Sequence, residues 1–151
     1  MMSKEIMFDF EYEARGKKLV IVSLNLNGKN NYRVYFKKLE EPAKKRFLKI
    51  TERMANHLGF EVQNRSTFEW LKGYNKLGEI KTHNPGHRIL VTNFYCIENF
   101  MILLLGFPKR SNESGIIIRN QYKKAEEYIK IIREDEDDLR KKLRTVLGGI
   151  Y

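Results

Sequence analysis

Apolar and polar positions alternate from residue 6 to residue 12, with Ile6, Phe8, Phe10 and Tyr12 on one side and Met7, Asp9 and Glu11 on the other. A two-residue period is the signature of a half-buried β-strand. Arg15-Gly16-Lys17 then reads as a turn, and residues 19–26, rich in aliphatic and β-branched side chains, as a second strand. Asn27-Gly28 supplies the positive-φ pair that a tight hairpin needs, so residues 32–36 read as a third strand and the N-terminal part as a three-stranded meander.

The period then changes. Phe47, Ile50, Met54 and Leu58 recur at helical spacing behind Pro42, which suits a first helical turn, with Glu40 and Glu41 complementing the helix dipole and Gly59 as the stop. Residues 66–72 read as a short helix with Ser66 as N-cap and Glu69 at the capping-box position, placing Phe68, Trp70 and Leu71 in the core. Residues 77–81, 88–95 and 100–107 read as three strands whose short connections favour antiparallel neighbours. After a break at residues 111–115, Ile118, Tyr122, Ala125, Ile129 and Ile132 define an amphipathic helix. The acidic run 134–138 opens a last helix, with Leu139, Leu143, Val146 and Leu147 at helical spacing and basic residues toward its end.

Composition narrows the class. Hydrophobic residues make up 42% of the 151 and charged residues 32%, a balance that folds rather than one that stays disordered. The length suits one domain over residues 1–151. Lys and Arg number 29 against 19 Asp and Glu, a formal charge of +10 that fits a polyanionic partner and equally a solubilising surface. The lone cysteine, Cys96, rules out an intrachain disulfide and a cysteine-built metal site within one chain. The mixed N-terminus is unlike a secretory signal, and the longest apolar run, residues 100–107, is far shorter than the ~20 residues that span a bilayer. The expectation is therefore a cytoplasmic protein without a membrane partner.

Motif chemistry is sparse. The chain has no phosphate-binding Gly-rich loop ending in Lys-Ser/Thr, no HExxH and no GxSxG, so neither a metal site nor a cofactor is expected. Glu79, Lys81, His83, His87, Arg88, Lys109 and Arg110 gather on or beside the three later strands. Lys81 and Arg88 flank a six-residue turn region and become cross-strand neighbours if the register permits, with Lys109 and Arg110 directly after the next strand. Cations brought together this way suit the holding of a scissile phosphate; scattered strand-end charges are the alternative, and Glu79 reads as a residue that orients a cation or, more simply, as its structural ion-pair partner. Lys44, Lys45, Lys49 and Arg53 on the first long helix form either a solvated face or an RNA-facing patch.

The order of these elements resembles RelE/HigB-like toxins, the phage-derived HigB branch of the RelE/ParE superfamily. Leu71-Lys72-Gly73-Tyr74 is similar to the family's Leu-x-Gly-aromatic element, and Leu77-Gly78-Glu79-Ile80-Lys81 to its Glu-hydrophobic-basic element, with Lys81 where the family usually has Arg. Arg88 resembles its strand arginine, and residues 103–110 (LLLGFPKR) its hydrophobic strand ending in two cations, with Ala125 in the helix that follows. The resemblance spans roughly residues 32–133. It implies an α+β fold, a compact RelE-like core with an antiparallel-dominated β-sheet packed against helices, an N-terminal β extension (1–31) and a C-terminal helical tail (134–151). It also implies a type II toxin that cleaves messenger RNA, commonly on the ribosome and without metal, and that a cognate antitoxin protein silences. Cleavage would use the substrate's own 2′-OH as nucleophile, with Arg88, Lys109 and Arg110 stabilising charge and Lys81, His83 or His87 as base. Histidine starts nearer the useful range, at ~6.5. The other reading is a non-catalytic basic nucleic-acid-binding module or a ParE-like gyrase inhibitor of the same fold. Tyr151 is assigned no role.

Overall fold

The computed structural model describes residues 6–61, 65–110 and 115–148; most of the break at 111–115, and Tyr151, lie outside them. The N-terminal alternation builds β1 (Phe8–Arg15), which pairs antiparallel with β2 (Val20–Leu26). Asn27 (φ 49°) and Gly28 (φ 80°) do make the expected positive-φ turn. The chain then enters a helix, α1 (Asn31–Lys37), rather than the third strand of a meander.

Two causes account for that difference. Asn30 caps the helix, its side-chain oxygen accepting from the Arg33 N–H at 2.8 Å. Its amide nitrogen also donates to Ser23 Oγ at 2.8 Å, anchoring the cap to β2. In addition, the edge of β2 that a third meander strand would need is taken by β6 (Glu98–Pro108) in parallel. Parallel neighbours require a crossover instead of a hairpin, and α1 begins it.

The crossover continues through α2 (Glu41–Arg53), with Pro42 in its first turn and Ala43, Phe47 and Thr51 buried. One π-helical turn, Met54–Leu58, extends it to Gly59. The Ala55 carbonyl accepts from the Lys18 and Leu19 amides at 2.6 and 3.1 Å, tying this turn to the β1–β2 connection.

Residues 66–72 form no helix. Their centre is the strand β3 (Phe68–Trp70), which pairs antiparallel with β4 (Gly78–Thr82), Phe68 opposite Ile80. Pairing with a sheet edge outweighs a capping pattern in so short a segment. Phe68 is buried, while Trp70 and Leu71 are only half-buried.

β5 (His87–Cys96) pairs antiparallel with both β4 and β6, and the sheet order is β1-β2-β6-β5-β4-β3. Only β2 and β6 run parallel among these neighbours, so the fold is α+β with an antiparallel-dominated sheet, an N-terminal strand at its edge and a C-terminal helix. Helices cover both faces. Tyr32, Phe47, Met54 and Ala55 pack with Ile21, Ile89 and Leu103 on one side. On the other, Ala125, Ile129 and Ile132 of α3 (Gly115–Arg133) and Leu139, Leu143 and Leu147 of α4 (Glu136–Gly148) pack with Val20, Val22, Leu90 and Leu104. Among the described residues no helix is long and apolar enough to cross a membrane.

A bulge between β5 and β6 positions the site. Leu90 lies opposite Leu105 but Val91 opposite Leu103, so β6 carries one extra residue. Leu104 and Leu105 therefore both join the α3 side of the core, and beyond them Phe107 stays on that side. Gly106 is left facing Tyr35 of α1.

Candidate functional site

Pairing of β4 with β5 sets Lys81 opposite Arg88 and Thr82 opposite His87. Consecutive strand residues point to opposite faces, so the first pair serves the α3 side of the sheet and the second the α1–α2 side. The two strand cations are thus cross-strand neighbours on the α3 face, while His87 faces the other side of the sheet.

On the α3 side both strand cations already have carboxylate partners. Lys81 Nζ donates to Glu69 Oε1 at 2.5 Å. That hydrogen bond holds the Glu69 carboxyl below its usual range, with smaller help from the charges of Arg65 and Lys109. Arg88 is 7% exposed. Its Nη1 donates to the carbonyls of Thr82 (3.1 Å) and His87 (3.0 Å), and its Nε stands 3.7 Å from Glu79 Oε1. Glu79, itself buried, accepts from the Tyr122 hydroxyl of α3 at 2.7 Å. A guanidinium enclosed in this way braces the β4–β5 turn and the α3 contact. Arg88 is thus enclosed by two carbonyls and Glu79 rather than presented at the surface, and Lys81, committed to Glu69, is poorly placed to act as a base.

The α1–α2 side holds a different array. The Tyr35 hydroxyl lies 2.5 Å from His87 Nδ1, and His87 Nε2 lies 3.1 Å from Glu40 Oε2. An ionised carboxylate only accepts, so Nε2 carries the proton, and in the neutral ring Nδ1 accepts from the phenol. The His87 side chain is 8% exposed against 53% for Glu40. The Glu40 carboxyl is lowered by its own backbone N–H and by His87, with Arg110 contributing. Burial and the Glu40 charge raise the Tyr35 phenol, and Arg110 draws it down. Arg110, exposed two residues past the end of β6, thus acts electrostatically on both groups.

The backbone prepares this array. Gly106 leaves room for the Tyr35 ring: a Cβ there would stand 2.9 Å from Tyr35 Cγ and 2.8 Å from Ile89 Cδ1. Arg46 of α2 donates to the carbonyls of His83 (2.7 Å) and Asn84 (3.3 Å), and the Lys109 amide donates to Gly86 O at 3.0 Å, so the β4–β5 turn is held from two sides. His83 is exposed, and its Nε2 lies 2.6 Å from the Ser66 carbonyl, away from the Tyr35–His87 pair. A ring nitrogen against a carbonyl must donate, which leaves that nitrogen unable to accept a proton.

The basic helix face is divided. Lys44 pairs with Glu41 at 3.4 Å and sits 5.8 Å from the centre of the Phe36 ring. Lys45, Lys49 and Arg53 are exposed. Lys49 and Arg53 line a cleft of about 830 Å³ whose walls include Ile50, Met54, His57 and Phe68, and also Glu52.

Tyr35 and Glu40 did not figure among the sequence candidates. They lie 52 and 47 residues from His87. Tyr35 read as a strand residue and Glu40 as a helix-dipole partner, so no local signal linked either to a histidine. Comparison of the chain with protein-family models, with curated proteins and with solved structures gave no match.

Proposed function

We propose that this protein is a metal-independent endoribonuclease of the RelE/HigB toxin type, acting on messenger RNA and silenced by an antitoxin protein. The observation that carries the reading is His87, held between Tyr35 and Glu40 with Arg110 acting on the same array. A base oriented by a carboxylate, with a cation beside it, supplies what 2′-OH attack on a phosphate requires: proton removal and stabilisation of added negative charge. His87 takes the role of base because a carboxylate orients its ring and a phenol meets its other nitrogen, whereas Lys81 Nζ is committed to Glu69 and His83 meets a backbone carbonyl with no carboxylate partner. Arg110 takes charge stabilisation. The sequence order of Arg88, the Leu-rich β6, Lys109-Arg110 and Ala125 in α3 supports the same family reading.

The test is incubation of the protein with messenger RNA, with and without ribosomes, in EDTA. New fragments ending in 2′,3′-cyclic phosphate are expected, and their loss in Arg110→Ala. Intact RNA under both conditions overturns the reading. The partnered state of Lys81 and Arg88 favours a second one, a non-catalytic basic module that binds nucleic acid or inhibits a topoisomerase. It predicts salt-sensitive RNA binding without cleavage, or loss of DNA supercoiling activity.

A further inference from the structure

We propose that the Tyr35 phenol oxygen is the atom that receives the substrate's proton, relaying it to His87 while Glu40 holds the imidazole. The inference rests on the endoribonuclease reading and names the contact through which that chemistry runs. Both ring nitrogens of His87 are occupied, Nδ1 by Tyr35 at 2.5 Å and Nε2 by Glu40 at 3.1 Å, and the ring is almost wholly covered. A substrate hydroxyl therefore has no free nitrogen to approach. Glu40 is exposed, but its lowered carboxyl makes it a weak base near neutrality. Tyr35 is half-buried, and its hydroxyl, donating one proton to Nδ1, keeps lone pairs that can accept another.

The step balances. The 2′-OH proton passes to Tyr35 Oη as the phenol's own proton passes to His87 Nδ1, giving an imidazolium that donates to Glu40. The 2′-oxygen bonds to phosphorus, the bond from phosphorus to the 5′-oxygen breaks, and the departing oxygen takes a proton from water. The imidazolium then returns its proton through Tyr35 to solvent. Gly106 is the structural provision for this route, since any side chain there would push the Tyr35 ring off the sheet and open the contact with His87.

The experiment is single-turnover cleavage of an RNA oligonucleotide in EDTA by wild type and Tyr35→Phe. Cleavage is expected to fall by about 100-fold or more, with RNA affinity unchanged and the thermal midpoint lowered by about 2–12 °C, since His87 Nδ1 loses its donor. Nitrogen NMR of His87 is expected to show a protonated Nε2 in both proteins, and an Nδ1 that loses its hydrogen-bond shift only in the variant. Cleavage by Tyr35→Phe within threefold of wild type overturns the relay while leaving the endoribonuclease reading standing. Should Tyr35→Phe fail to fold, a fluorotyrosine of lower pKa at position 35 must displace the pH–rate curve, and an undisplaced curve overturns the relay. A wild-type protein that leaves RNA intact overturns both.

Discussion

Replacing Arg88 by alanine is expected to cost folding stability, not activity alone. The substitution removes donors from two backbone carbonyls, at 3.0 and 3.1 Å, and strips Glu79, whose side chain is 2% exposed, of the cation 3.7 Å from it. Taking one partner from a buried pair destabilises by about 3–5 kcal/mol, because the remaining charge has neither water nor counter-ion. The two lost hydrogen bonds are part of that figure rather than additional to it. At about 2–4 °C per kcal/mol for a chain of this size, the thermal midpoint should drop by about 6–20 °C. Circular dichroism melts measure it directly. A companion variant, Arg88→Met with Glu79→Gln, removes both charges and keeps an acceptor for Tyr122, so it should recover most of the loss. The carbonyls of Thr82 and His87 still lack their donor, which leaves a deficit of about 1–3 kcal/mol. If Arg88→Ala melts within about 2 °C of wild type, the buried brace is the wrong description and Arg88 is free for a ligand.

Gly106→Ala is expected to overpack Tyr35 and Ile89 at a cost of about 1–3 kcal/mol, seen as a lower thermal midpoint together with loss of the Tyr35–His87 hydrogen bond by NMR; an unchanged midpoint would contradict the packing argument. Asn30→Ala removes the cap of α1 and should cost about 1 kcal/mol in urea denaturation, with little effect if the helix is held by packing alone. In Lys81→Met the Glu69 carboxyl should titrate back toward its ordinary value in a carbon-detected NMR titration. The sign follows from linkage: a depressed carboxylate stabilises the fold fully above its ordinary pKa and loses that contribution as pH falls through its lowered value. The stability gap between wild type and Lys81→Met should therefore narrow on acidification through that window; a gap independent of pH would mean that the pair contributes nothing.

Periodicity and turn chemistry in the chain were enough to locate most elements. Alternation placed β1, apolar runs placed β2, β4, β5 and β6, and the 3.6-residue spacing of Phe47, Ala125, Ile129, Leu139 and Leu143 placed the helices that cover the sheet. These signals are local, because each strand or helix must bury a face of its own. Residues 32–36 and 66–72 misread for the opposite reason: each is too short for its pattern to outweigh its neighbours. A parallel β2–β6 pairing turned the first into a helix, and an open edge of β4 turned the second into a strand. The unbroken apolar run of β6 likewise gave no hint of the bulge that leaves Gly106 beneath Tyr35. The cross-strand register of Lys81 with Arg88 was anticipated from the turn length, and Glu79 was legible as the ion-pair partner of a cation, but two contacts were not: Glu69 arrives at Lys81 from β3, and Tyr122 of α3 closes over Glu79. His87 was named in the sequence beside His83, with nothing there to choose between them. Its partners Tyr35 and Glu40 reach it across about 50 residues of chain, and a contact at that separation is set by the packing of α1 and α2 on the sheet, which no short stretch of sequence encodes.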